Sequence, residues 1–321
     1  MNVGHNGLPV LQVEGESIPE AWERSIVELN NNGYWYRRED PKDEGKMQVD
    51  SRMTIVIANP DSQLLAHKSM TAGLEDLFEY EMEIMGAKNS WIKDLNDPDD
   101  TKWDYLYNER FTGYPTDEGV PLDQLKYIVE ALAKRPTTRK AQGITWVPER
   151  DTITKDTPCL QRIWFGITPS DDGPVLGMDY EFRSRNPMIA AVMNMHGMHT
   201  LQCHVRDGIN ERTGMGLRNG RMVDSNNSYH VTAKNQQLLQ GFLERLKASQ
   251  GRGEGIEHRA FDRTFVQDYV DSVRAEVIKK VVAQTGNYMK GPEFEAEAAK
   301  IRRIGQEVGH YVPRGDVDGS D

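Results

Sequence analysis

Apolar residues recur at helical spacing in three segments of the first half of the chain. The first begins at Ser17, whose hydroxyl is followed three residues later by Glu20, the pattern of a helix capping box, and it ends at Gly33. Its apolar positions are Trp22, Ile26 and Leu29. The other two segments are residues 71–86 and 121–134. Three helices are therefore predicted here.

The centre of the chain changes from helical to strand periodicity. Residues 34–50 are dense in charge and predict a mobile loop. Polar and apolar residues alternate over 159–167, and a turn leads into a second strand-like run at 175–183. These two runs predict a β-hairpin. The Asn219-Gly220 pair predicts another tight turn.

The second half is predominantly helical. Residues 187–205 are mostly apolar and predict a buried helix, and residues 235–248 predict another. The Gly-rich stretch 251–257 is the best candidate for a linker, and two charged amphipathic helices follow it. We therefore predict one domain over 1–250 and a helical extension over 251–321, with no internal repeat.

Composition narrows the class of protein. The chain has 321 residues with 37% hydrophobic and 28% charged residues, values typical of a folded globular protein. Its net charge of -11 argues against a nucleic-acid polymer as partner. No apolar run is long enough for a membrane span, and the amino terminus lacks signal-peptide features. With only two cysteines, Cys159 and Cys203, an intracellular, cytoplasmic protein is expected.

Cys159 is the first candidate for chemistry. It follows a proline and opens a predicted strand, where a thiol can meet a substrate. Two pairs of residues, Arg139-Lys140 and Arg183-Ser184, supply cations that can hold a phosphate and lower the pKa of a thiol. The alternative is that Cys159 is a small buried hydrophobic residue.

The order of several short motifs resembles that of the thymidylate synthase superfamily, which includes thymidylate synthases and pyrimidine nucleotide hydroxymethylases. The motifs are Asp123-Gln124-Leu125, Lys134 to Lys140, Pro158-Cys159, Phe182 to Asn186, Asn194 and Ser228-Tyr229-His230. The match covers roughly residues 15–235 and is tightest from 121 to 200. It implies an α/β (α+β) fold, a mixed, mainly antiparallel sheet covered by helices. The helical extension beyond it is unmatched.

The resemblance implies one-carbon transfer from 5,10-methylenetetrahydrofolate to C5 of a pyrimidine nucleoside 5′-monophosphate. Cys159 resembles the nucleophile that adds to C6 of the ring, which makes C5 reactive. Glu79 resembles a glutamate that relays protons to the ring through water. An exposed helical glutamate is the alternative for Glu79.

The resemblance also implies a set of binding residues. Those for the nucleotide are Arg139, Lys140, Arg183, Ser184, Asn194 and His230. Arg139 and Lys140 match residues that reach the phosphate from the partner subunit of a homodimer, and His230 matches a sugar contact. Asn186 stands where relatives carry an aspartate that contacts folate. Lys140 replaces an arginine, so a bidentate phosphate contact is lost there.

Two details bear on substrate and product. The amide of Asn194 presents a donor and an acceptor, which suits the O4 and N3–H edge of uracil and favours dUMP over (d)CMP. The family's short apolar carboxyl terminus, which closes over folate, is unmatched. Without that closure, water reaches the exocyclic methylene intermediate more easily, which favours hydroxymethylation. Methylation to dTMP is the alternative.

Two alternative functions of other kinds are also compatible with the sequence. His196, His199 and Cys203 lie at i, i+3 and i+7, so they share a helix face that can bind zinc. Buried histidines satisfied by hydrogen bonds are the expected alternative, and we assign no metal. The other reading is a catalytically inactive nucleotide-binding or scaffold homologue, whose helical extension docks a partner.

Overall fold

The strands define one large sheet in the computed structural model, which describes residues 7–37, 47–94, 97 and 100–310. Within these ranges the strands are β1 Val10–Gly15, β2 Tyr34–Arg37, β3 Met47–Ile57, β4 Leu64–His67, β5 Gln142–Ile144, β6 Leu160–Thr168, β7 Val175–Phe182, β8 Arg218–Val231 and β9 Ala260–Asp262. Seven of the described strands form a sheet of order β1-β3-β8-β7-β6-β5, with β2 also paired to β3. The β1–β3 and β7–β8 pairs are parallel and the other pairs are antiparallel, which confirms a mixed, mainly antiparallel sheet.

Ten α-helices lie in the described ranges. They are α1 Ile18–Asn32, α2 Leu74–Ile84, α3 Tyr107–Thr112, α4 Gln124–Lys134, α5 Pro148–Asp151, α6 Val192–Thr213, α7 Gln236–Gly251, α8 Ile256–Arg259, α9 Gln267–Thr285 and α10 Gly291–His310. A π-helical turn, Pro187–Ala191, leads into α6. The α/β fold is therefore confirmed. Every helix in the described ranges is either too short or too polar to span a membrane.

The main core lies between one face of the sheet and helices α1, α4 and α6. Strand β7 alternates strictly between buried and half-buried residues, and its buried set, from Leu176 to Phe182, joins this core. The opposite face carries half-buried residues such as Trp164 and Val223. No described element packs across that second face with buried apolar contacts.

The predicted start of α1 is confirmed in part. The Ser17 hydroxyl accepts a hydrogen bond from the Glu20 N–H (3.3 Å), as in a capping box. The Glu20 carboxylate, however, accepts from the N–H of Glu16 (2.8 Å) instead of Ser17. At the other end, Gly33 follows the last helical residue, and its N–H donates to Leu29 O (2.9 Å).

Two predictions from turn and charge patterns are wrong. The segment 34–50 is no single loop, because Tyr34–Arg37 pairs antiparallel with Met47–Asp50, although 38–46 lie outside the described residues. Asn219-Gly220 is no turn, because both residues lie within β8. A Cβ on Gly220 would lie 3.2 Å from Val175, so this glycine serves strand packing. The predicted tail beyond residue 310 also falls outside the described residues.

The residues after Gly251 pack on the rest of the chain through a second apolar cluster. It joins α2 and its flanking segments to α9 and α10, with Phe78, Met82, Val277 and Ile301 among its buried members. Strand β9 pairs antiparallel with β4. The domain boundary near Gly251 remains a prediction, but the extension shares a core with α2.

Candidate active site

A cleft of about 670 Å³ lies where β6 begins and β7 and β8 end. Because β6 and β7 are antiparallel and β8 runs parallel to β7, these three termini meet at one edge of the sheet. The cleft is lined by Tyr80, Glu83, Lys102, Trp103, Asp104, Tyr105, Leu106, Tyr107, Asp156, Cys159, Ser184, Arg185, Asn186, Ala190, Asn194 and His230. It therefore combines a thiol, aromatic rings and charged groups.

The backbone around Cys159 is held firmly by Arg183. The N–H of Arg183 donates to Cys159 O (2.8 Å). Its guanidinium donates through Nε to Pro158 O (3.0 Å) and through Nη2 to Thr157 O (2.9 Å). Arg183 is not among the residues lining the cleft. Its side chain thus fixes the segment that carries the thiol.

Two tyrosines support the same segment. The Tyr105 hydroxyl donates to Thr157 O (3.3 Å), and Tyr107 Oη accepts from the N–H of Leu160 (3.3 Å). Burial and the nearby Cys159 raise the pKa of Tyr105 to about 12, so this hydroxyl stays protonated. The cleft wall and the nucleophile candidate are therefore tied together by hydrogen bonds.

The Cys159 thiol is half-buried and free. Burial raises its pKa above the ordinary value, and Arg183 and Arg185 oppose that rise. The sequence predicted that neighbouring cations would lower this pKa. The two arginines do act in that direction, but desolvation of the thiol is the larger effect, so its pKa is raised overall.

Arg185 forms a buried ion pair at the base of the cleft. Its guanidinium contacts the carboxylate of Asp224, and both side chains are almost fully buried. The guanidinium also lies over the ring of Phe182, 4.4 Å from its centroid. Arg185 Nε and Nη1 have no hydrogen-bond partner within the described part of the chain. This cation therefore retains donors beside the cleft.

Asn194 and His230 reach the cleft from α6 and β8. Asn194 Nδ2 donates to the Tyr80 hydroxyl (2.6 Å), which orients the amide. His230 Nδ1 lies 3.2 Å from Ser228 Oγ, and that hydroxyl donates to Asp50 Oδ2 (2.9 Å). Burial raises the pKa of Asp50, and the nearby His230 opposes this rise. Both predicted binding residues thus have fixed orientations.

Glu83, and not Glu79, is the α2 carboxylate that lines the cleft. Burial raises the pKa of Glu83, with Lys88 opposing that rise. Glu79 instead bridges Lys88 Nζ (2.7 Å) and Lys280 Nζ (2.7 Å), the latter on α9. Burial alone would raise the pKa of Glu79, but hydrogen bonds from Lys280 and Lys88 outweigh it and lower the value.

Other predicted residues divide between the cleft and the surface. Ser184 and Asn186 line the cleft, where Asn186 Oδ1 accepts from Met188 N–H (2.9 Å) and starts the π-helical turn. Arg139 and Lys140 are exposed and outside the cleft of their own chain. The structure thus brings Cys159, Ser184, Asn186, Asn194 and His230 together, and leaves Glu79, Arg139, Lys140 and Arg183 outside the lining.

Sequence reasoning missed several cleft residues. The largest group is the run from Lys102 to Tyr107, which brings three aromatic rings to the wall. Its aromatic density after a polar, turn-rich stretch was the available signal. Tyr80 and Glu83 were missed as well, although their i, i+3 spacing on a predicted helix places them on one face.

The His/Cys zinc site that the sequence left as an alternative is only partly assembled in the structure. His199 and Cys203 lie near Asp61, and the three ligand atoms are within 4.8 Å of one another. His196 is not part of this group, and both of its ring nitrogens lack a hydrogen-bond partner among the described residues. Burial lowers the pKa of His196 well below its usual value.

Sequence relatives decide the family. A protein of Methanocaldococcus jannaschii named "Putative thymidylate synthase" is 32% identical over 199 residues, which are 60% of this chain and 80% of that protein. The chain belongs to the thymidylate synthase family. Proteins of the same name from Methanosarcina barkeri and Methanococcoides burtonii are each 27% identical, over 63% and 68% of this chain and 83% and 88% of theirs. No protein-family profile matches the chain.

Membership of the thymidylate synthase family agrees with the resemblance read from short motifs. The chain covers at least four fifths of each of these three relatives, whereas they cover only 60–68% of it. A substantial part of this thymidylate synthase homologue therefore has no counterpart in those alignments.

Proposed function

We propose that the protein transfers a one-carbon unit to C5 of a pyrimidine nucleoside 5′-monophosphate, with Cys159 as nucleophile and 5,10-methylenetetrahydrofolate as donor. The observation that carries the proposal is the convergence of a free thiol, an oriented amide and a carboxylate in one cleft: Cys159, Asn194 and Glu83. Family membership supports the same chemistry.

The cleft has features that suit the folate donor. Trp103 and Tyr105 offer flat aromatic surfaces against which a fused-ring group can stack. Lys102 on the same wall offers a cation for the acidic tail of a folate. When bound, the donor supplies a carbon at the oxidation level of formaldehyde.

The proposed role of Cys159 is covalent activation of the base. Its thiolate adds to C6, the electrons of the C5–C6 double bond move towards C5 and O4, and C5 becomes nucleophilic. Arg183 and Arg185 favour the thiolate electrostatically, as they do in opposing its raised pKa. After the carbon has joined C5, loss of the C5 proton expels the folate amine and leaves an exocyclic methylene on C5. Addition to that methylene then expels the thiolate from C6 and restores the C5–C6 double bond.

We assign the proton-relay role to Glu83 instead of Glu79. Glu83 shares the cleft with Cys159, whereas the Glu79 carboxylate is held by two lysines outside it. Burial raises the pKa of Glu83, so this carboxyl group holds a proton more readily than a free carboxyl group does, as a proton relay requires. Glu83 would hold the water that moves protons to and from the ring.

Asn194 is proposed to select the base. One N–H of its amide is engaged by Tyr80, which leaves a second N–H and the carbonyl oxygen for a ligand. That pair complements O4 and N3–H of uracil, so dUMP is the favoured substrate over (d)CMP. His230 and Asn186, on the same cleft wall, would contact the sugar and the folate respectively.

The phosphate site is proposed to be shared between two subunits. Ser184 and Arg185 supply donors from within the cleft. Arg139 and Lys140 are exposed, and the Arg139 carbonyl accepts from Nε1 of Trp164, which lies on the uncovered sheet face (3.1 Å). Back-to-back pairing of two sheets would bury that face and carry both cations towards the partner's cleft, which supports a homodimer.

We favour hydroxymethylation as the reaction. In that outcome water adds to the exocyclic methylene and the thiolate leaves, with no change in oxidation level. Methylation instead requires a hydride from the folate, which is thereby oxidised. Glu83, Asp104 and Asp156 give the cleft a polar lining that would favour water at the reacting carbon over its exclusion. Thymidylate synthesis is the alternative.

The test is to incubate the protein with methylenetetrahydrofolate and either dUMP or dCMP, and to weigh the nucleotide product. A hydroxymethylated dUMP is expected. A methylated product overturns the hydroxymethylation proposal but keeps the transferase, and a product from dCMP alone overturns the base assignment. If neither nucleotide is modified, the enzyme proposal fails.

A second experiment separates an enzyme from an inactive scaffold or a metal-site protein. The wild type should form a covalent adduct with 5-fluoro-dUMP and the folate, visible as a mass increase of the protein. Cys159→Ser should form none, and Cys203→Ser, which changes the other cysteine, should still form it. An adduct that survives Cys159→Ser contradicts the assignment of the nucleophile.

A further inference from the structure

Four polar side chains meet at the end of the sheet remote from the cleft. Asp61 follows β3, His199 and Cys203 lie one turn apart on α6, and Asn219 lies at the start of β8. His199 Nε2 is 2.7 Å from Asp61 Oδ1 and 3.5 Å from Cys203 Sγ. Asn219 Nδ2 is 2.9 Å from Asp61 Oδ1 and 3.1 Å from Cys203 Sγ. We call this set the Asp61 cluster.

We propose that the Asp61 cluster binds a divalent cation of the zinc type. Thiolate sulfur, imidazole nitrogen and carboxylate oxygen are the donors that zinc takes in proteins, and helical i, i+4 spacing places His199 and Cys203 on one face. With bonds of about 2.0–2.3 Å, ligand atoms around a tetrahedral zinc lie roughly 3.3–3.7 Å apart. The Sγ–Nε2 distance of 3.5 Å already fits, and the Asp61 oxygen must retreat slightly.

Asn219 offers the fourth ligand. Its Oδ1 is buried and has no hydrogen-bond partner among the described residues, while its Nδ2 faces the cluster. The two ends of an amide have nearly the same shape, so a half-turn of the side chain exchanges them. The carbonyl oxygen would then point at the cation, and the unsatisfied acceptor would acquire a partner.

Charge balance also favours a divalent ion. The thiolate of Cys203 and the carboxylate of Asp61 together carry two negative charges. If the imidazole of His199 is neutral, a divalent cation balances that charge. Zinc binds cysteine as the thiolate and histidine as the neutral imidazole, so each ligand gives up any proton it carries. Arg206 and the buried Arg263 are nearby opposing charges, and the guanidinium of Arg206 is engaged by the carboxylate of Asp207 (2.7 and 3.0 Å).

The position indicates a structural role, separate from the proposed reaction. Cys203 is nine residues beyond Asn194 on α6, about 14 Å along the helix axis. The cation would join the segment after β3, the middle of α6 and the start of β8. Cys203 is fully buried, whereas 32% of the Asp61 side chain is exposed, which provides the entry path.

Cobalt(II) provides the test, because a thiolate bound to this ion gives an intense near-ultraviolet charge-transfer absorption. We expect full-length protein to show the band with one equivalent of cobalt, Cys159→Ser to keep it, and Cys203→Ser to lose it. Zinc should abolish the band by displacing cobalt. Absence of the band in the wild type, or its loss in Cys159→Ser, overturns the proposal.

Thermal unfolding guards against a variant that simply fails to fold. Added zinc should raise the melting temperature of the wild type and of Cys159→Ser. It should not raise the melting temperature of Cys203→Ser or of Asp61→Ala, which changes a partly exposed side chain. If Cys203→Ser does not fold, Asp61→Ala provides the same comparison. Equal zinc stabilisation of Asp61→Ala and wild type counts against the site. None of these readouts depends on nucleotide chemistry.

Discussion

Replacing Lys88 by methionine tests whether the charges behind the cleft are coupled. Lys88 Nζ lies 2.7 Å from Glu79 and 3.0 Å from Glu83, and only 5% of its side chain is exposed. It also lies over the rings of Trp91 and Trp103, at 5.0 and 5.3 Å from their centroids. Methionine keeps the length of the side chain and removes the charge.

The size of the effect follows from these contacts. At an effective dielectric constant near 20, a unit charge pair about 3 Å apart gains roughly 5–6 kcal/mol before desolvation. Desolvation offsets much of this gain, and removing one partner of a buried pair typically costs about 3–5 kcal/mol. Glu79 keeps Lys280 in the variant, so we expect a loss near the lower end, about 3 kcal/mol at pH 8.

The loss should depend on pH in a defined direction. Without Lys88, burial and Glu79 raise the folded-state pKa of Glu83 further above its unfolded value. A carboxyl group with a raised folded pKa destabilises the fold increasingly as pH rises from the unfolded pKa towards the folded one. The deficit of Lys88→Met should therefore be smaller at pH 5 than at pH 8.

Urea unfolding at both pH values, followed by circular dichroism, measures the deficit. Lys280→Met is the matched control, because it removes the outer lysine of the same network, and 47% of its side chain is exposed. We expect at most about 1 kcal/mol for the control. The reasoning is refuted if the two variants lose the same stability, or if the Lys88→Met deficit does not shrink on acidification.

Three further outcomes are expected. Asp224→Asn should lower the free energy of unfolding, measured by urea titration, by about 3–5 kcal/mol, because it leaves the buried charge of Arg185 without a counter-ion. A loss below about 1 kcal/mol would contradict a charged pair. Alkylation of Cys159 by iodoacetamide in a Cys203→Ser background should accelerate with pH up to a midpoint above that of a free thiol, because burial raises its pKa; a midpoint near neutrality would refute this. A chain ending at Gly251 should aggregate when expressed, as light scattering will show, because the apolar face of α2 loses its cover; a monomeric, cooperatively unfolding product would show an autonomous domain.

Periodicity predicted the fold well where one face of an element is buried. Helices α1, α2, α4 and α6 and the β6–β7 hairpin carry regular apolar spacing, and all are present. Local turn signals failed where contacts between residues distant in sequence determine the backbone conformation. Gly220 resembles a turn residue but allows β8 to approach Val175, while the turn before β8 uses Gly214 and Gly216, whose φ values are 62° and 67°.

Part of the cleft lining could be predicted from the order of the sequence motifs. Cys159, Ser184, Asn194 and His230 come from four segments and meet in one cleft. Which of Glu79 and Glu83 lines the cleft was beyond local reasoning, because both lie on the same helix, one turn apart. Lys280, 201 residues away in sequence, engages Glu79, and no pattern within α2 reveals that contact.

Helix α2 connects the cleft to the helical extension, because it contacts both. One side of it presents Tyr80 and Glu83 to the cleft, and another buries Phe78 and Met82 against α9 and α10. A shift of this helix would move both sets together, since a helix transmits displacement as a nearly rigid body. The extension after Gly251 therefore bears on the position of Glu83, through α2 packing and the Lys280 contact, although it contributes no residue to the cleft lining among the described residues.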